Sequence, residues 1–352
     1  MKHFLIIGSG IGGMASGALL AKAGHRVTLW EQHPEMLGGH GRCLVRGGLS
    51  FSMGPQYVWD FGRGDIGERF LQFLNIHNEN PFLPMSADDF EHLFVGERGD
   101  GETSDFIEIR VPMGLSLFCS RLRELFPEEE AAIFSLFQDM EAIYGAYRRF
   151  FRHGGKTAAA SPILPAFRFL CAKKATLTGK ARFGKSIFQT LRSFYDQYGV
   201  SERVRRILYA HGGIFAENES QMSAIAYIIG TGNYHRGAWY PENGFRYFFQ
   251  SLARVIEEEG GRVMTGKRAV RLRSGSGRIT RAEAEDGTIC SVDGVVSDIS
   301  PRLTCALLGS GAPIVFTDYE PSHSIISCCI GLAEGFGAVR KMRGKNCWWQ
   351  SG

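Results

Sequence analysis

No apolar run in this sequence approaches the roughly 18 to 20 residues that a membrane-spanning helix requires, so an integral helical membrane protein is not expected. No C-x-x-C pair is present, and no Cys/His cluster has zinc-like spacing, so neither a metal site nor a redox dithiol is expected. The eight cysteines are scattered along 352 residues and read as reduced thiols, the usage of a cytoplasmic protein. The adjacent Cys328 and Cys329 are expected as small buried residues of a strand. There is no internal repeat. Between residues 142 and 195 there is not one Asp or Glu, against eleven Lys and Arg, so the overall charge of +4 hides a basic segment on an acidic body. Met1-Lys2 and the apolar residues after it start like a signal peptide. Gly8, Gly10, Gly12 and Gly13 interrupt that run, however, and suit a turn better than the helix of a leader.

Glycine, by contrast, is plentiful, at 45 residues. The first of them close a recognisable unit. His3 to Ile7 is a short apolar run of the kind buried in a parallel sheet. Gly8 to Gly13 forms a glycine-rich turn, Met14 to Ala23 has helical spacing and ends at Gly24, and Arg26 to Trp30 is a second apolar strand closed by Glu31. Gly8-Ser9-Gly10-Ile11-Gly12-Gly13 satisfies G-x-G-x-x-G, and the strand before it, the helix after it and the acid at the end of the next strand supply the context that a dinucleotide fold needs. Gly8 permits the tight turn, Gly10 lets the backbone approach a pyrophosphate, and Gly13 lets helix and strand pack closely. The helix start offers amide donors and a positive dipole to phosphate. Glu31 is placed to accept the hydroxyl hydrogens of an adenosine ribose and would repel a 2′-phosphate, so FAD or NAD rather than NADP is the expected ligand.

Further along, Phe118 to Tyr147 reads as one or two helices anchored by Leu122, Leu125, Ile133, Phe134, Phe137, Ile143 and Tyr144, with Pro127 and three glutamates marking a fresh start. Leu252 to Gly261 reads as a helix, Arg262 to Ile289 as an antiparallel meander, and Val292 to Ile299 as a strand re-entering the sheet. Gly309-Ser310-Gly311 runs into Ala312-Pro313 and reads as a loop, so no second dinucleotide domain is expected.

The residues after Glu31 separate the two candidate ligands. Gly38-Gly39, His40 and Arg42 follow closely, then Gly54-Pro55. This run resembles the FAD-binding superfamily of amine oxidases and carotenoid desaturases, and within it the phytoene desaturases, carotenoid isomerases and retinol saturases. Trp239-Tyr240-Pro241-Glu242-Asn243-Gly244 and the stretch from Gly260 to Pro301 extend the likeness, although Asn243 stands where the family has the first of two glycines. The resemblance implies FAD as cofactor. It implies contact from Gly8, Ser9, Gly10, Gly12, Gly13, Glu31, Gly38, Gly39, His40, Arg42 and Gly54, with the backbone of Val270 against the adenine. It also implies a glycine-rich C-terminal segment folding back on the flavin. No such segment precedes Gly352, so a further segment or a partner chain is implied to complete the site.

The expected fold is therefore α/β: a Rossmann-like FAD-binding domain, parallel sheet plus antiparallel β-meander, with an inserted helical or mixed substrate domain. Residues 1–75 plus 245–310 are assigned to the first, and 76–244 plus 311–352 to the second. The resemblance implies an FAD-dependent oxidoreductase acting on a conjugated isoprenoid or other apolar lipid, by desaturation, saturation or cis-trans isomerisation. An amine oxidase and a non-catalytic lipid carrier like the Rab GDP-dissociation inhibitors are the rival readings. Tyr57, Trp239 and Tyr240 are candidates to line an apolar tunnel, and no side chain stands out as a catalytic base, consistent with a cofactor that carries the chemistry. The basic segment interleaves aromatic residues. No nucleic-acid recognition motif accompanies it, and docking on an anionic membrane surface suits it better. A cytoplasmic protein peripheral at the membrane is the resulting expectation.

Overall fold

The computed structural model describes residues 1–96, 106–154, 177–211, 215, 217–309, 328–330 and 346–350. The chain divides into two compact units, one of Met1–Tyr57, Phe61–Leu83 and Tyr240–Glu334, the other of Val58–Asp60, Pro84–Trp239 and Gly335–Gly352.

The first unit is built on strand β1 (His3–Ile7), helix α1 (Ile11–Lys22) and strand β2 (Arg26–Trp30), with both strands bounded as their apolar runs predict. A two-stranded hairpin follows, β3 (Cys43–Arg46) against β4 (Leu49–Ser52). After the second unit the chain returns through helix α2 (Gly244–Glu258) and strands β5 (Arg262–Met264), β6 (Ala269–Gly275), β7 (Arg278–Ala284), β8 (Ile289–Ser291) and β9 (Gly294–Ser297), then helix α3 (Pro301–Leu308). The sheet order is β9-β1-β2-β5. All three pairings are parallel, with Leu5 opposite both Thr28 and Val295, and Leu29 opposite Val263. A parallel sheet is covered on both faces, and for that reason its strands are apolar throughout rather than alternating. Leu5, Ile6, Val27 and Leu29 are fully buried.

The antiparallel meander β6-β7-β8 closes one face, where Leu272, Ala282, Ala284 and Val292 form one core cluster with Leu5, Ile7 and Trp30. Each large side chain so buried contributes about 1.5–3 kcal/mol. On α1 the buried positions are Gly13, Met14, Gly17, Ala18 and Ala21. All but Met14 are small and allow close approach, and a Cβ on Gly17 would lie 2.9 Å from Ile256 Cδ1 of α2.

Two sequence expectations are corrected here. Helix α2 begins two turns before Leu252, because Phe245, Phe248 and Phe249 continue the buried stripe of Leu252, Val255 and Ile256 backwards. Cys328 and Cys329 are exposed and outside any strand, Cys329 Sγ lying 3.6 Å from Met53 Sδ. The Asn243 departure has a backbone explanation. Asn243 sits at φ −95° and Gly244 at +78°, so only the second position demands glycine.

The second unit combines a three-stranded sheet with helices. Glu91–Gly96 is the central strand, parallel to Asn346–Gln350 and antiparallel to Phe106–Val111. The helices are Leu115–Leu125, Glu130–Gly154, Leu177–Ser186, Leu191–Asp196, Glu202–His211 and Ala224–Arg236. The helical stretch read at 118–147 is two helices broken at Pro127, and Leu122, Ile133, Phe137 and Ile143 are buried as expected. Leu125 and Phe134 are instead 48% and 44% exposed. No helix among the described residues is long and apolar enough to cross a membrane.

Candidate functional site

The first unit gathers its glycines at the C-terminal edge of the parallel sheet. β1 ends at Ile7, Gly8 turns at φ +95°, and Gly10 takes the N-cap position of α1 in extended conformation without a side-chain cap. The Gly8 amide donates to the Trp30 carbonyl at 2.9 Å, which ties the turn to the end of β2. A Cβ on Gly13 would fall 2.3 Å from the Gly8 carbonyl oxygen, so helix and turn touch backbone to backbone.

Ser9 locks three segments together. Its amide and its hydroxyl both donate to Glu31 Oε2, at 3.0 and 2.5 Å. Its hydroxyl oxygen and its carbonyl both accept from the Gly38 amide, at 3.1 and 3.0 Å. The other Glu31 oxygen accepts from the His33 amide at 2.8 Å. A carboxylate has about four lone-pair positions, and three donors are seated on Glu31, so one acceptor position remains for a ribose hydroxyl. Ser9 is thus a positioning residue for Glu31 and for the second glycine pair.

That second pair lies against the first. Gly38 and Gly39 have φ +110° and +55°, and a Cβ on Gly39 would be 3.0 Å from Gly10 Cα. Gly38 and Gly41 press on the ring of Phe249, and Gly54 packs on the His40 carbonyl at a Cβ distance of 2.6 Å. The His40 and Arg42 side chains are exposed, in and just after the single turn Gly39–Gly41. Val270 is 44% exposed and is passed over in the β6–β7 register, a bulge that leaves its backbone out of the ladder.

One residue beside this cradle is singled out by no sequence motif. Asp298 follows β9, its amide donating to the Ile7 carbonyl at 2.8 Å. Its carboxylate oxygens are the nearest atoms to any Cβ placed on Gly10 or Gly12, at 2.4 and 2.8 Å. Its Oδ2 is buried without a hydrogen-bond partner among the described residues. The sequence brings Asp298 no closer to Gly10 than 288 positions; only the parallel pairing of β9 with β1 does so.

Tyr57 is buried in the first unit, and Tyr240 is half-buried with its ring edge-on to Phe245 at 5.3 Å. In the second unit the Trp239 ring covers Gly237, where any Cβ would collide with it. The second unit also holds a buried polar cluster that sequence separation concealed. His211 Nδ1 lies 2.5 Å from Glu91 Oε2, and both side chains are essentially inaccessible. His235 Nδ1 donates to the Pro112 carbonyl at 3.0 Å, and the two imidazole rings are 4.8 Å apart. Phe118 stacks on His235. Burial, then the neighbouring His211, push the His235 pKa well below its usual value. Among the described residues no group of three or more metal-binding side chains occurs.

Within the basic segment, residues 155–176 lie outside the described residues, with Phe167 and Phe169 among them. The described cations are largely matched by acids from elsewhere in the chain: Arg148 with Asp60, Arg182 with Asp139 and Arg192 with Glu219. Phe194 and Tyr195 are core residues, whereas Phe188 is 90% and Ile187 45% exposed.

Comparison with known proteins agrees with this architecture. Residues 6–74 match the family described as NAD(P)-binding Rossmann-like domain. The chain is 29% identical to all-trans-retinol 13,14-reductase of Rattus norvegicus over 74% of its own length and 40% of that protein. It is 27% identical to the Homo sapiens protein of the same name, over 96% of this chain and 51% of that one. A 1-hydroxycarotenoid 3,4-desaturase of a Flavobacterium is 24% identical over 96% of this chain and 64% of that protein. The chain thus spans about half the length of these relatives. Among solved structures, an oxidoreductase from Methanosarcina mazei superposes with a TM-score of 0.55 at 19% identity, covering 87% of this chain and 61% of that one. A Rab GDI from Plasmodium falciparum gives 0.53 at 13%, covering 87% and 67%, and a putrescine oxidase 0.55 at 12%, covering 87% and 59%. The fold is accordingly α/β with a Rossmann-like dinucleotide-binding domain, and the similarity to retinol reductases and carotenoid desaturases is that read in Gly8 to Pro55, Trp239 to Gly244 and Gly260 to Pro301.

Proposed function

We propose that this chain binds FAD on the first unit and belongs to an oxidoreductase that desaturates, saturates or isomerises a conjugated isoprenoid or a similar apolar lipid. The observation that carries the reading is the Ser9–Glu31–Gly38 lock on the glycine turn. It presents the free edge of a buried carboxylate beside a helix start whose amides have no side-chain cap. A dinucleotide fits both halves of that arrangement, its ribose hydroxyl on Glu31 and its pyrophosphate over Gly10 to Gly13. The names of the relatives, retinol reductase and carotenoid desaturase, support flavin rather than nicotinamide and supply the substrate class.

Bound flavin would supply hydride exchange with an activated C–H of the substrate. This chain's residues would hold and orient it: Glu31 at the ribose, the two glycine pairs along the phosphates, and the Val270 bulge at the adenine. Residues 1–75 plus 245–310 would form this cofactor domain, and the remainder a substrate domain. Intact Glu31 and glycines weigh against a flavin-free carrier of the Rab GDI kind.

The test is a visible absorption spectrum of the purified protein, repeated after FAD addition and gel filtration. Oxidised-flavin bands near one equivalent are expected. A folded, colourless protein that releases all added FAD would sink the reading.

Membrane docking forms part of the same proposal and rests on Ile187 and Phe188, two exposed apolar side chains beside Lys185. Shallow insertion of such residues with basic neighbours favours anionic vesicles and weakens with salt. Sedimentation with phosphatidylserine-containing vesicles is expected to fall several-fold in the I187S/F188S variant. Equal sedimentation of the two proteins would remove this segment from the account.

A further inference from the structure

The Asp298 carboxylate is oddly placed for a fold that receives a pyrophosphate. It touches the positions of Gly10, Gly12 and Gly13, the positive end of α1, yet its Oδ2 is buried and accepts no hydrogen bond among the described residues. Helix α1 has no acidic residue in its first turn and no side-chain cap. An anion is favoured at such an end by the helix dipole, and the effect is confined to the first turn. A carboxylate and a pyrophosphate placed there together repel each other, and at a few ångströms in partly buried surroundings that repulsion is large enough to change affinity by an order of magnitude.

We infer that Asp298 acts as an internal anion at the dinucleotide turn, holding the helix start in the free protein and opposing the pyrophosphate of an incoming cofactor. The inference rests on the FAD reading above and deepens it: Asp298 sets how tightly the cofactor is held rather than whether the turn recognises one. The pairing of β9 with β1 fixes the Asp298 backbone through its amide on the Ile7 carbonyl. Adjustment on binding therefore falls to the side chain, which must rotate off the turn. Oδ2 has no hydrogen-bond partner among the described residues, so that movement breaks none of its bonds to them. Gly10 and Gly12 serve two occupants in turn, since a side chain at either would exclude the carboxylate as well as the phosphate.

The experiment compares wild type, D298N and D298E in binding FAD and adenosine, by flavin fluorescence and by calorimetry, with circular dichroism confirming the fold. D298N keeps the shape and removes the charge, and is expected to bind FAD at least tenfold more tightly. D298E keeps the charge and is expected to show no gain. Adenosine, which has no phosphate, should bind all three alike. An unchanged or weaker FAD affinity in D298N, with flavin still bound by wild type, overturns the role of Asp298 alone. An equal gain for adenosine also overturns it, because the effect would then be packing. Failure of every folded variant to bind FAD removes the cofactor reading and this inference together.

Discussion

Gly13→Ala is expected to cost the protein its flavin and about 1–3 kcal/mol of stability, the range for forcing an extra methyl into a closed contact. The added Cβ would sit 2.3 Å from the Gly8 carbonyl oxygen. That atom is backbone, at the end of a strand paired on both sides, so no rotamer change relieves the clash. Helix α1 must lift away from the turn, which moves the amides that would meet the pyrophosphate. Gly17→Ala, one turn further along the same helix, provides the control. Its one tight contact would be the Cδ1 methyl of Ile256 at 2.9 Å, the end of a flexible side chain, with Ile6 Cγ1 at an ordinary 3.5 Å. The better helix propensity of alanine, about 1 kcal/mol over glycine, offsets that contact. Flavin absorbance after gel filtration and urea unfolding should therefore separate the two variants sharply. Equal flavin retention in both would mean that the turn is not where the cofactor binds.

The second large effect is on acid stability. His235 is buried with its pKa well below the ordinary value, chiefly through burial and then through His211. The unfolded chain therefore takes up a proton near pH 6.5 that the folded protein refuses. Stability is fully present above pH 6.5 and is lost as the pH falls below it, by about 1.4 kcal/mol per pH unit until the lowered folded value is reached. Urea unfolding between pH 7.5 and 5 should show this slope, and His235→Gln should flatten it. At pH 7.5, Glu91→Leu is expected to destabilise by about 3 kcal/mol, because it strands the buried His211 Nδ1–H without an acceptor. A pH-independent stability from 7.5 to 5 would contradict the buried neutral imidazole.

The parts of this fold that were legible in sequence are those whose physics is local. A parallel strand, a turn that only glycine can make and a helix of small residues lie within 30 consecutive positions, and β1, α1 and β2 were found within a few residues. Glu31 was legible because it ends that same unit. Ser9 was quoted within the motif, but its role in holding Glu31 and Gly38 was not readable, since serine fills a variable position and its bonds span 22 and 29 residues. Asp298 and the Glu91–His211–His235 cluster were illegible as sites for a stronger reason. Asp298 meets the turn from 288 positions beyond Gly10 and Glu91 meets His211 across 120, and nothing at either end announces the other. The exposed Cys328 and Cys329 show the converse limit: composition suggested a core strand, and among the described residues neither belongs to one.

The parallel sheet of the first unit has a consequence for biosynthesis. β1 finds β2 as soon as some thirty residues have been made, but its other neighbour, β9, is nearly the whole chain away: His3 bonds to Asp293, 290 positions on. At translation rates of about 5–20 residues per second, the nascent chain leaves one edge of its most apolar strand open for roughly 15–60 s. Exposed edges of that kind template pairing with other chains. Expression at lower temperature or with added chaperone should therefore raise soluble yield more than any substitution on the folded surface.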